Sequence, residues 1–132
     1  MSTTEATMAA IERFNDAFNQ HDVDGLTKLM TDDVVFENTG DQRFEGQEAV
    51  CGFFRRFFET TPMAWFDTED MFAVGDRCVV RWILTFNKEE PERGRVRGVD
   101  VFRVGNGRVA EKFSYVKSAE VVRKLGLQLG DS

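Results

Sequence analysis

The chain has 132 residues and a formal net charge of −6, a size typical of one domain and a charge that argues against nucleic acid or anionic membrane as a partner. Thirteen Phe and two Trp residues against one Tyr exceed what a small core needs for stability alone, and this excess is compatible with a lined cavity. The sequence opens without a leader pattern and holds no apolar run near the roughly 20 residues that cross a bilayer, so we expect a cytoplasmic protein.

The two cysteines, Cys51 and Cys78, are isolated, and His21 is the only histidine. This pattern indicates neither a zinc site nor a disulfide framework, so we expect no metal. Both thiols are interpreted as small core hydrophobes, and His21 as a residue of a surface loop.

Two helices are predicted at the start of the chain. Ser2 and Glu5 have the spacing of a capping box, which predicts a helix to about Gln20. Its apolar face would carry Met8, Ile11, Phe14 and Phe18. Asp22 can cap a second, short helix that closes one end of the core.

A first strand and a third helix follow. Residues 34–38 read as a strand on which Val34, Phe36 and Asn38 share a face, and residues 43–45 form a short extended piece. Gly46 then opens a helix over residues 47–60, with Val50, Phe53, Phe54 and Phe57 on its buried stripe and Arg55 and Arg56 facing water.

Four strands are predicted after Pro62, which ends the helical region. They cover residues 63–74, 77–87, 96–104 and 109–116, with a loop at 88–94. Gly75-Asp76 and Gly105-Asn106-Gly107 supply the tight turns, because these residues reach positive φ at little cost. Residues 118–129 form a short helix or an arm.

The order of elements predicts an α+β fold, in which a curved, mostly antiparallel sheet wraps around three N-terminal helices as a cone. We expect a single domain over residues 1–132. Alternation on the strand at 96–104 puts Asp100 on one face with Gly98, Phe102 and Val104. If this face is the inner one, Asp100 is a carboxyl in an apolar pocket and requires protonation or a specific partner.

The chain resembles the nuclear transport factor 2-like superfamily, in its SnoaL-like and ketosteroid-isomerase-like branch. The resemblance lies in residues 13–15 and 31–37, in the run Phe44 to Val50, and in residues 99–104 and 107–111. It implies the cone-shaped, cystatin-like fold and a dimer. It does not imply one activity, because the superfamily includes isomerases, cyclases, hydrolases and binding proteins.

The family's functional positions are only partly matched. The resemblance places the steroid isomerases' general base at Asn38 and their oxyanion-binding Tyr at Phe14, and neither side chain can serve in that role. Their second oxyanion group, a protonated Asp, matches Asp100. The acid/base Asp of the cyclases and epoxide hydrolases falls on Ser114, and a serine needs a base to activate it.

We therefore expect a site for a small hydrophobic ligand, with Asp100, Asn38 and Ser114 as candidate catalytic residues. The predicted substrate-binding residues are Phe14, Phe18, Phe36, Phe53, Phe57, Trp82, Phe86 and Phe102. A reaction there would be an isomerisation, cyclisation or hydration without cofactor, with Asp100 as proton donor or hydrogen-bond anchor. The alternatives assign these residues no function. Asp100 would then have a structural role, hydrogen-bonded to Asn38, Ser114 or backbone, and the aromatic residues would simply pack the core.

The outer face of the sheet is also apolar. It is predicted to carry Val79, Ile83, Val99, Val101, Phe113 and Tyr115. We expect this face to form a homodimer, unless the C-terminal arm covers it. The alternative function is a non-catalytic dimeric binding or assembly module, in which the cone is filled by its own side chains.

Overall fold

A computed structural model describes residues 2–38, 40 and 42–117. Its elements are α1 (Thr3–Asn19), α2 (Val23–Lys28), β1 (Met30–Glu37), β2 (Arg43–Glu45), α3 (Gln47–Thr60), β3 (Trp65–Val74), β4 (Arg77–Thr85), β5 (Arg95–Gly105) and β6 (Arg108–Lys117). The predicted order of helices and strands is confirmed. Among the described residues, no helix is both long and apolar enough to cross a membrane.

The helix starts follow the capping residues of the sequence. Ser2 Oγ accepts a hydrogen bond from the backbone N–H of Glu5 at 3.1 Å, and the Glu5 carboxylate accepts one from the Ser2 N–H at 3.4 Å. These two bonds form the predicted capping box of α1. At the start of α2, the Asp22 carboxylate accepts from the N–H of Gly25 at 2.9 Å.

The six strands form one sheet in the order β2-β1-β6-β5-β4-β3. Strands β3 to β6 form the predicted antiparallel meander, and β1 runs parallel to β6. Positive φ angles occur at Gly75 (59°), Asn106 (52°) and Gly107 (76°), in the two turns where the sequence predicts them. Short turns therefore set the register of the strands that carry the candidate site.

Helices α1 and α3 cover the inner face of the sheet and bury its core. Phe14 of α1 lies at the centre, in edge-to-face contact with Phe36, Phe54 and Phe102 at centroid distances of 6.2, 6.2 and 5.9 Å. On α3, Phe54 is fully buried, whereas Phe53 on the same stripe is only partly buried. The α+β cone predicted from the sequence is the observed fold.

Three strand boundaries differ from the prediction by two residues or more. β1 starts at Met30 rather than at 34, because Met30 already pairs with Val109 of β6. β3 starts at Trp65 rather than at 63, because the N–H of Ala64 closes a turn onto the carbonyl of Thr61 at 3.2 Å. β4 ends at Thr85 rather than at 87, and the predicted loop after it contains a 3₁₀ turn, Pro91–Arg93. The predicted C-terminal arm at 118–129 lies outside the described residues.

The outer face of the sheet carries a continuous apolar row. Phe72 on β3 pairs with Val79 on β4, Val79 with Val101 on β5, and Val101 with Phe113 on β6. Nearby Tyr115 is 62% exposed and Phe72 is 56% exposed. The row therefore presents apolar side chains across four neighbouring strands.

Candidate functional site

A cavity of about 380 Å³ opens between the inner face of the sheet and helices α1 and α3. Its wall is mostly aromatic and aliphatic, with a few polar side chains. The lining residues are Phe14, Asn15, Phe18, Asn38, Gln42, Phe53, Phe54, Phe57, Phe66, Trp82, Leu84, Phe86, Val96, Asp100, Lys112, Ser114 and Val116. These include six of the eight aromatic residues predicted to bind substrate and all three predicted polar residues.

The other two predicted aromatic residues, Phe36 and Phe102, do not border the cavity. Both are completely buried, and each packs edge-to-face against Phe14, which does border it. They lie one layer deeper, behind Phe14. Alternation along a strand shows which face a residue takes, but it does not show its depth behind that face.

Sequence reasoning missed several cavity residues. Phe54 and Phe66 are aromatic, Leu84, Val96 and Val116 are aliphatic, and Asn15, Gln42 and Lys112 are polar. Strand alternation could have found four of them. Leu84 lies on the face of Trp82, Val96 on the face of Asp100, and Lys112 and Val116 on the face of Ser114.

Asp100 lies in the cavity wall within a hydrogen-bonded cluster, which we call the polar cluster and which consists of Asp100, Lys112 and Ser114. Asp100 on β5 and Ser114 on β6 are directly paired across the sheet. The Ser114 hydroxyl donates to Asp100 Oδ1 at 2.7 Å, and the Lys112 ammonium donates to Ser114 Oγ at 2.9 Å. Lys112 Nζ is also 3.7 Å from Asp100 Oδ2, which makes an ion pair.

The sequence left Asp100 to be either protonated or specifically partnered, and the structure gives it a basic partner, Lys112. Lys112 and Ser114 are two residues apart on β6, so both side chains lie on the inner face. The Lys112 ammonium also lies 4.9 Å from the ring centroid of Phe36, where a cation is attracted to the aromatic face. The polar cluster thus combines one carboxylate, one hydroxyl and one ammonium with no net charge.

Asn38 lines the same cavity but makes no hydrogen bond to the polar cluster. It follows the last residue of β1, and its backbone N–H donates to the carbonyl of Gln42 at 2.8 Å. Its side-chain Nδ2 is buried and finds no acceptor among the described residues. The structure therefore brings Asn38, Asp100 and Ser114 to one cavity and connects only the last two.

Trp82 forms one wall of the cavity, and its position depends on Gly98. The two residues are paired across β4 and β5. A Cβ atom at position 98 would lie 2.5 Å from Trp82 Cζ2 and 2.9 Å from the carbonyl oxygen of Tyr115, so only glycine leaves room for the indole. The indole N–H of Trp82 is buried and has no acceptor within the described part of the chain.

The remaining reactive side chains lie away from the cavity wall. His21 stacks on Phe58 with a centroid distance of 4.2 Å, and its Nε2 is 3.3 Å from the carbonyl of Ala64. Burial, and to a smaller extent the negative charge of Glu12, raise the pKa of the Cys78 thiol to about 11. Within the described residues, no three His, Cys, Asp or Glu side chains form a group that could hold a metal ion.

Comparison with known proteins places the fold. The family model of the SnoaL-like domain matches residues 11–112. No curated protein matches the sequence. Among solved structures, a nuclear transport factor 2-like protein of unknown function from Mesorhizobium loti is 34% identical, with a TM-score of 0.76, over 89% of this chain and 96% of that one.

Two more distant structures share the fold at lower identity. An LEH-like epoxide hydrolase from M. tuberculosis is 24% identical, with a TM-score of 0.70, over 89% of this chain and 82% of that one. A cystatin-fold protein from Novosphingobium aromaticivorans is 21% identical, with a TM-score of 0.73, over 87% of this chain and 98% of that one. The family match and the Mesorhizobium loti structure show that this chain belongs to the SnoaL-like domain family of the nuclear transport factor 2-like superfamily.

Proposed function

We propose that the protein binds a small, largely apolar molecule in the aromatic cavity. The observation that carries the proposal is a buried, hydrogen-bonded polar cluster in the wall of an otherwise apolar cavity. The volume of about 380 Å³ lies within the range of known small-molecule sites, roughly 300–1,000 Å³. A cavity of this kind suits a ligand that has an apolar frame and one or two oxygen atoms.

The polar cluster would anchor the oxygen of the ligand. Ser114 is already bonded to Asp100, and Asn38 lines the same cavity with an amide Nδ2 that has no acceptor among the described residues. Such fixed dipoles stabilise developing charge without reorganising during a reaction. Any reaction there would be an isomerisation, cyclisation or hydration that needs no cofactor, with the polar cluster holding the substrate oxygen.

A cavity-filling variant tests the binding proposal. Val116 lines the cavity, whereas Val99 lies on the outer face of the same sheet and is buried to a similar degree. We expect Val116→Phe to weaken binding of the probe 2-acetylnaphthalene at least about tenfold in calorimetric titration, because the new ring takes the ligand's space. The control Val99→Phe should keep the affinity of the unmodified protein. Equal affinity in all three proteins would place the probe elsewhere.

The outer apolar row supports a second proposal, a homodimer through the outer face of the sheet. Phe72, Val79, Val101 and Phe113 lie directly opposite one another on four strands, and exposed apolar patches of this extent mark interaction surfaces. A second copy would meet the row with the same row, as two-fold symmetry requires. The non-catalytic alternative is an assembly module that acts through this face, and sedimentation of the Val116→Phe variant separates the two functions. If assembly persists when the cavity is filled, the two are independent.

A further inference from the structure

We propose that Lys112, rather than Asp100, is the residue of the polar cluster that contacts the ligand. This inference rests on the proposed function, because it assigns a binding residue to the same cavity. Asp100 and Ser114 would then be positioning residues that hold the Lys112 ammonium at the cavity wall.

The exposure of the side chains gives the first argument. The Lys112 side chain is 15% exposed, whereas the Asp100 side chain is 2% exposed. Ser114 lies between them, since it donates to Asp100 and accepts from Lys112. A molecule that enters the cavity therefore reaches the ammonium before it reaches the carboxylate.

The hydrogen-bond inventory of Lys112 gives the second argument. An ammonium group has three N–H donors. One is donated to Ser114 Oγ, and Asp100 Oδ2 at 3.7 Å attracts the charge from beyond hydrogen-bond distance. The ring face of Phe36 lies 4.9 Å away. Among the described residues, no further acceptor is bonded to Nζ, so the ammonium keeps donor capacity for a ligand oxygen.

The charge of the Asp100–Lys112 pair determines which kind of ligand oxygen the cavity can accept. Asp100 and Lys112 together carry no net charge, and the surrounding wall is aromatic. An anionic ligand would leave an uncompensated negative charge in this apolar cavity, which is costly. A neutral acceptor such as a carbonyl oxygen receives the ammonium's hydrogen bond without this cost. The inferred ligand class is thus a neutral apolar molecule with an acceptor oxygen.

A pair of probes of the same shape tests this assignment. 2-Acetylnaphthalene carries a carbonyl oxygen, and 2-isopropenylnaphthalene has a CH₂ group in its place. We expect the protein to bind the ketone about tenfold to a hundredfold more tightly, the factor that a hydrogen bond from a charged donor contributes. Lys112→Met should abolish this preference for the ketone.

The infrared C=O stretch of the bound ketone reports the contact directly. In the unmodified protein the hydrogen bond should lower its frequency, and in Lys112→Met the frequency should return to that of a non-bonded ketone. Ser114→Ala should broaden the band, because the ammonium then loses the acceptor that fixes it. A structural role for Lys112 would not move this band.

The double variant Asp100→Leu/Lys112→Met keeps the test valid if Lys112→Met alone does not fold, because it leaves no unpaired charge. It should bind the hydrocarbon and lose the ketone preference. An unchanged C=O frequency in either variant overturns the role of Lys112 and leaves the proposed function standing. Failure of both probes to bind the unmodified protein overturns the proposed function and this inference together.

Discussion

Replacement of Gly98 by alanine tests whether Trp82 is held as the structure shows. The new Cβ atom would lie 2.5 Å from Trp82 Cζ2 and 2.7 Å from Cη2, whereas carbon atoms normally approach to about 3.5–4.0 Å. The indole must therefore move by about 1 Å. A shift of the backbone at position 98 cannot relieve the clash with the indole, because the backbone carbonyl of Tyr115 is 2.9 Å from the same Cβ. Phe66, at a centroid distance of 5.6 Å, packs against the ring on another side.

We expect Gly98→Ala to lower the free energy of unfolding by about 1–3 kcal/mol, the usual cost of overpacking. The midpoint of thermal unfolding should fall by about 3–5 °C for each kcal/mol in a domain of this size. The displaced indole would also enter the cavity, so the affinity for 2-acetylnaphthalene should fall. Gly52→Ala is the matched control, because a Cβ there meets nothing within 4 Å and alanine favours the α3 helix by roughly 0.5–1 kcal/mol.

A double-mutant cycle isolates the clash. In a Trp82→Phe background the ring atoms nearest Gly98 are gone and only the contact with the Tyr115 carbonyl remains, so Gly98→Ala should cost clearly less than it does beside Trp82. Chemical unfolding in urea gives all four free energies. If Gly98→Ala is as stable as the unmodified protein, or costs the same with Phe at position 82, the steric argument is refuted.

The single changes Asp100→Leu and Lys112→Met should each lower the free energy of unfolding by about 3–5 kcal/mol, because each leaves a buried charge unpaired. The double change should be nearly neutral. Urea unfolding measures all three free energies, and additive effects would show that the pair is not coupled. With Cys51 replaced by alanine, Cys78 should react with a disulfide reagent at pH 8 about a hundredfold more slowly in the folded than in the unfolded protein. Its pKa is about 11 in the folded protein instead of 9.0, which lowers the thiolate fraction from about one in ten to about one in a thousand. The folded-state rate should rise about tenfold per pH unit below that pKa, and a rate independent of folding would contradict the burial of the thiol. Val79→Glu places a charge in the outer apolar row and should convert a dimer into monomers in sedimentation experiments without changing probe affinity, and an unaffected dimer would exclude this face as the interface.

The fold could be predicted because local signals and global topology agree. Ser2 and Glu5 cap the first helix, Gly46 opens the third, and Gly75 and Asn106 form turns whose positive φ angles connect successive strands. Each of these signals acts within a few residues of its position. Boundaries were less predictable where a turn competes with a strand, as at Ala64, whose N–H bonds back to Thr61.

The sequence predicts which face of the sheet a candidate site residue takes, but not whether its side chain borders the cavity or lies in the core behind it. Strand alternation put Asp100 on the candidate inner face, the family resemblance pointed to Ser114, and the structure pairs the two across β5 and β6. The same rule gave Phe36 and Phe102 the correct face, yet both lie in the core behind Phe14. How deep a side chain lies behind the sheet face depends on how the helices pack against that face, and no local sequence pattern encodes that packing.

For Lys112, the usual placement of a lysine in water conflicts with strand alternation, which puts this residue on the inner face. A lysine on a strand is normally assigned to water, because its ammonium is costly to bury. Alternation nevertheless required Lys112 to share the face of Ser114, and only an acceptor on the neighbouring strand could make that position tolerable. Asp100 is that acceptor, through Ser114 and through the ion pair at 3.7 Å. An acid and a base that fall on one inner face should therefore be interpreted as a pair, and the chemistry of the cavity should be sought in the pair rather than in the acid alone.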